Sequence, residues 1–165
     1  MEQGTAMMNR FWIDFAVLIG FIIAQITMFR HLEFWGLQTN IVIIYIVWLA
    51  SVRNRTQTLI ITIIGAILMD ILLDTWGVFL FSKPLILLIF YNFIYQQRDN
   101  TLQLGQIFTM FLFICLAYNL VFLLISTFAG IYSTDFQFLK LWIGNSIYTA
   151  ITAVFFYLIK PEQKR

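Results

Sequence analysis

One cysteine, one histidine and two prolines are all that 165 residues hold of those types. Cys115 lies mid-segment with no second thiol, so a disulfide within one chain and a thiolate metal site are both excluded. His31 sits alone in a short connection, with no further ligands nearby to complete a metal centre. Charge is equally scarce. Only 11% of the residues are charged, against roughly 25% in soluble domains. The net charge of +2 is too small to draw a nucleic-acid backbone. There is no P-loop glycine run, no Ser-His-Asp set and no HExxH, so hydrolysis and phosphoryl transfer find no support. The expectation is a protein that is not an enzyme and carries no cofactor.

What the chain has instead is apolar bulk: 61% hydrophobic residues, 18 of them phenylalanine by type, and a mean hydropathy of +0.87. A soluble domain of this size could not hide so much apolar surface, because small domains leave a large share of their chain exposed. The reading is an all-α polytopic membrane protein. A crossing needs about 20 apolar residues, and six segments qualify: Phe11–Phe29, Leu37–Val52, Thr56–Leu73, Val78–Tyr95, Leu104–Phe128 and Phe138–Ile159. The second is short. It is parted from the third only by "SVRNRT", and a continuous helix would set Arg53 and Arg55 near the midplane at several kcal/mol each. Residues 11–159 then form one six-helix transmembrane domain, between a tail at 1–10 and another at 160–165.

Basic residues near span ends orient the chain. Arg10, Arg53, Arg55, Arg98, Lys160, Lys164 and Arg165 fall on one side, and Arg30, Lys83 and Lys140 on the other. This bias places both termini in the cytoplasm. Trp12, Trp48, Tyr95 and Tyr157 would mark the inner interface, and Trp35, Trp76 and Tyr132 the outer one. "TMFRHLEFW" offers no small-x-small cleavage site, so the first span is expected to stay as an anchor. "MEQGTAM" reads as structureless, with Met8 a candidate start.

Asp70 and Lys83 stand inside this hydrocarbon, in "GAILMDILLDTWGVFLFSKPL". With the turn at Trp76–Gly77, each lies roughly 10 Å along its helix from the turn, so the two can face each other as an ion pair. Pro84 is tolerable near the start of the fourth helix, and the carbonyl it frees offers Lys83 a further contact. Asp74 shares a helical face with Asp70 and is expected in water at the outer interface; a cation site or acid–base role for the two acids is the weaker reading. Ala16, Gly20 and Ala24 form a small-residue stripe that lets another helix approach, internal or foreign, with internal packing favoured. Gly65 is expected to act similarly in the third span. Gln25, Asn92, Asn119 and Asn145 are expected to join helices by hydrogen bonds.

Six spans, a length near 165 and the central G-x4-D-x6-G segment formed by Gly65, Asp70 and Gly77 resemble MreD, the rod-shape-determining membrane family of bacteria. The likeness covers the chain in hydropathy and concentrates in residues between Asn40 and Tyr95, including "ASVRNRTQTLIITIIGAILMD". "FSKPL" departs from the small and apolar residues expected after Gly77. The resemblance implies a non-enzymatic scaffold of the cell-wall elongation machinery that maintains cell shape. It would bind MreC and, through it, the RodA glycosyltransferase with its class B transpeptidase partner, and MreB indirectly. Membrane lipid would surround it. Candidate partner-binding residues are Ala16, Gly20 and Ala24 on the first span with Asp70 and Lys83, and the structural residues of the central hairpin are Gly65, Asp70, Gly77, Lys83 and Pro84. The chain is also similar in size and span number to substrate-binding components of energy-coupling-factor vitamin transporters. In that alternative Asp70, Lys83, Asn119 and Asn145 would line an outward-opening pocket, although the outer loops are short for closing over a ligand.

Overall fold

The computed structural model describes residues 2–29, 35–98, 103–130 and 137–159, with side chains from residue 10 onward except those of Phe29 and Gln137. Arg30, His31, Tyr132 and the tail at 160–165 lie outside them. Six helices follow in order: α1 (Glu2–Ala24), which runs into a π-helical turn at Gln25–Phe29, then α2 (Ile41–Val52), α3 (Arg55–Leu73), α4 (Val78–Gln96), α5 (Leu104–Phe128) and α6 (Gln137–Ile159). No strand forms among the described residues. Stretches within α1 and its π turn, α3, α4, α5 and α6 are long and apolar enough to cross a membrane. The chain is a multi-pass helical bundle.

Two boundaries differ from the sequence reading. Residues 2–9 are helical, not structureless, because they continue α1 without a proline to stop it and include good helix formers in Glu2, Gln3, Ala6 and Met7. The second crossing is helical only from Ile41. Twelve helical residues span about 18 Å, short of a hydrocarbon core of about 30 Å.

This short helix is the centre of the bundle. "IVIIYIV" (Ile41–Val47) is buried throughout, as are Leu49 and Ala50. A helix apolar on all faces belongs inside, and α2 packs against α1, α3, α4 and α6. It runs antiparallel to α1, since Gln25 bonds at its start and Asp14 bonds Arg53 just past its end. The α3–α4 and α5–α6 hairpins close around it.

Gly65 brings α3 against α1. A Cβ placed there would stand 2.5 Å from Leu18 Cδ2, and Leu18 is fully buried. The α3–α4 turn is tight: Asp74 (φ 53°), Trp76 (φ 48°) and Gly77 (φ 91°) are all left-handed, a conformation that only glycine adopts without cost. Both tryptophans of the end expected to face outward, Trp35 and Trp76, are exposed, and so are Trp12, Trp48, Tyr95 and Tyr157. The aromatic belts are therefore available to the interfaces.

Gly65→Val should overpack the α1–α3 contact and lower stability by about 1–3 kcal/mol. Adding Leu18→Ala should recover part of that loss, and thermal unfolding in detergent micelles reads this coupling.

Candidate functional site

The acid at the heart of the family-like segment has a different partner from the one expected. Asp70 Oδ1 accepts hydrogen bonds from the Phe79 amide (3.0 Å) and the Thr75 hydroxyl (2.6 Å), and Oδ2 accepts from the Leu80 amide (2.8 Å). Its carboxylate thus caps α4 from the preceding helix, because Gly77 at the N-cap has no side chain to do so. A negative charge is well placed there, where unsatisfied N–H groups carry the positive end of the helix dipole. The expected Asp70–Lys83 ion pair is not formed. Lys83 is fully buried and its Nζ has no hydrogen-bond partner, so the contact with a carbonyl freed by Pro84 is also not made. The ammonium lies 5.0 Å from the centre of the Phe79 ring and 5.5 Å from that of Tyr118. The helix rotation that aims Asp70 at the start of α4 turns Lys83 toward α5. Asp74 is exposed, as expected.

Next to this hairpin is a cavity of about 510 Å³, at the bundle end that carries the 74–77 turn. Its polar wall is built by the break ahead of α2. Residues 37–40 continue the second crossing without helical hydrogen bonds, and their backbone groups must find partners in the protein. Gln25 supplies two, donating from Nε2 to the Thr39 carbonyl (2.8 Å) and accepting the Ile41 amide at Oε1 (2.7 Å). The Gln38 amide donates to Asn145 Oδ1 (2.9 Å) and the Asn40 amide to Thr149 Oγ1 (3.1 Å), both on α6. Asn40 in turn caps α2 by accepting from the Ile43 amide. Asn119 Nδ2 donates to Ser146 Oγ at 2.9 Å. The opposite wall is aromatic: the Phe79 and Phe122 rings lie 5.1 Å apart, and those of Tyr118 and Phe122 5.9 Å.

At the other end of the bundle, Asp14 on α1 and Arg53 after α2 form the ion pair that the sequence reading missed. Arg53 Nε and Nη2 donate to the two Asp14 oxygens at 2.7 and 3.1 Å. Asp14 is only 6% exposed. Hydrogen bonding to it holds the Arg53 guanidinium above its ordinary pKa. The Tyr45 hydroxyl donates to the Asp14 carbonyl, the Tyr91 hydroxyl donates to the Arg53 carbonyl, and Arg55 stacks over the Tyr91 ring. An acid four residues inside a span was the available signal.

The remaining predicted residues separate. Gln25, Asn119 and Asn145 join helices, whereas Asn92 is exposed. Ala16 and Gly20 are exposed, and a Cβ on Gly20 would meet nothing within 4 Å. The small-residue face of α1 is therefore not used inside the bundle at those two positions. No group of three metal-ligating side chains occurs among the described residues. Comparison with models of known families finds no match, and comparisons with curated proteins and with solved structures find none either.

Asp70→Ala should destabilise the protein by about 2–3 kcal/mol, because two amides at the start of α4 lose their acceptor. Lys83→Met should stay within about 1 kcal/mol, whereas breaking a buried ion pair would cost about 3–5 kcal/mol. Unfolding titrations of both variants separate the two descriptions. At the opposite end, Asp14→Arg should lower the thermal midpoint, and Arg53→Asp in the same chain should restore part of the loss.

Proposed function

We propose that this chain is a non-enzymatic scaffold of the MreD type, which maintains rod cell shape by holding an MreC-like single-pass protein and, through it, the peptidoglycan synthases in the cytoplasmic membrane. One observation carries the reading: each residue of the G-x4-D-x6-G segment has a structural task. Gly65 admits Leu18, Asp70 caps α4, and Gly77 makes the left-handed step between the helices. A segment whose polar group is engaged by backbone amides has no reactive group to offer a substrate. It defines a shape, and a shape is what a scaffold presents to its partners.

The partner face on this reading is the outer side of α1. Ala16 and Gly20 are exposed there, and space beside Gly20 lets a second helix come close. In lipid, such close backbone approach favours association, since apolar side chains gain little by leaving the hydrocarbon. Asp70 acts indirectly, by keeping α3 and α4 in register, and Lys83 has no place on this face.

Depletion in the native host should round the cells, and the purified protein should retain an MreC-like partner. Gly20→Trp should abolish that co-purification with little change in the thermal midpoint, because the position is exposed and a Cβ there meets nothing within 4 Å. Normal cell shape after depletion would overturn the scaffold reading. Co-purification that survives Gly20→Trp would move the interface off α1.

A further inference from the structure

We infer that the cavity beside the α3–α4 hairpin binds one uncharged small molecule with a flat, nitrogen-containing ring and an amide-like edge, of the nucleobase kind. This goes beyond the scaffold reading and does not rest on it. At about 510 Å³ the cavity falls within the range that holds small ligands.

Its hydrogen-bonding capacity is only partly used. Asn145 gives its Oδ1 to the Gln38 amide, which fixes the orientation of its side chain and leaves Nδ2 as a donor at the cavity wall. Asn119 gives its Nδ2 to Ser146 and retains Oδ1 as an acceptor. Asn145 from α6 and Asn119 from α5 both line the cavity, so its wall carries one unused amide donor and one unused amide acceptor. The Tyr118 hydroxyl, on a side chain that is 2% exposed, lies beside Asn40 and Ser82 and makes no hydrogen bond of good geometry. A donor and an acceptor presented to one cavity match a ring that carries both an acceptor and a donor on its edge, the groups by which amide side chains read nucleobases.

The aromatic wall supplies the second half of the recognition. Phe79, Tyr118 and Phe122 offer ring faces on which a planar heterocycle can stack, an interaction tolerant of the ring's identity. Charge decides the third point. No charged side chain lines the cavity among the described residues. Behind its wall stand two charges of opposite sign, Asp70 held by Thr75 and Lys83 under Phe79 and Tyr118. Lys83 is unpaired but does not line the cavity, so a ligand there meets no counter-charge and is best matched when neutral.

The test is calorimetric titration of the full chain in phosphatidylcholine nanodiscs with uridine, adenosine and lumichrome, and with N-acetylglucosamine as the non-aromatic comparison. At least one of the three heterocycles should bind saturably at one site per chain, more tightly than the sugar. Asn145→Asp, which keeps the acceptor for Gln38 and replaces the donor, should weaken that binding at least tenfold. Phe122→Leu, which removes a ring and no hydrogen bond, should also weaken it at least tenfold. Thermal midpoints report whether each variant is folded, and a variant that fails to fold leaves the decision to the other. No saturable binding of any heterocycle, tighter binding of the sugar, or binding indifferent to the folded variants would overturn the inference. None of these results bears on co-purification with an MreC-like protein.

Discussion

Inside a bilayer every backbone amide and carbonyl needs a partner from the protein, and the second crossing is where this chain meets that constraint least simply. Its helix covers only the part from Ile41 to Val52, so the backbone of residues 37–40 must be satisfied by side chains from other elements. The bundle is arranged to supply them. The π turn at Gln25 sets that side chain against the Thr39 carbonyl and the Ile41 amide, while Asn145 and Thr149 on α6 take the amides before it. A continuous helix would have needed none of these polar groups. Because the break needs them, a polar cavity exists in a protein that is otherwise greasy.

The same reasoning accounts for Asp70. Gly77 is required for the left-handed turn but cannot cap the helix that follows it. The carboxylate one helix earlier does so, and its charge matches the dipole it faces. Lys83 is then balanced at a distance and by ring faces, not by a salt bridge. This arrangement makes the acid the structural member of the two and leaves the lysine comparatively replaceable.

Specific ionic contact appears at the opposite end, where Asp14 and Arg53 tie α1 to the link between α2 and α3. With Tyr45 and Tyr91 bonding to the backbone of the same two residues, this knot locks the end at which the short helix finishes. The bundle is thus held by hydrogen bonds at the broken end of α2 and by an ion pair at the other. Between them the helices pack largely through apolar side chains, including the close approach of Gly65 and Leu18.

Much of the architecture was legible in the residues. Bilayer thickness acts on a local property, the length of an apolar run, so hydropathy alone located the helices long and apolar enough to cross a membrane and marked the second apolar segment as short. It could not show that residues 37–40 are unwound, because Leu37 and Thr39 are as acceptable in a helix as out of one. Counting from the turn suggested that Asp70 and Lys83 could pair, but the carboxylate meets the Phe79 and Leu80 amides instead. Depth depends on rise per residue, whereas contact depends on each helix's rotation, which is set by packing against distant parts of the chain. Gln38 meets Asn145 and Asn40 meets Thr149 across more than a hundred residues, and no local pattern encodes either meeting. The sequence by itself determined a multi-pass helical protein with a tight central hairpin. Only the tertiary structure decided that Asp70 caps α4, that Asp14 holds Arg53 and that a polar cavity opens beside the broken helix, because each requires groups far apart in the chain to converge.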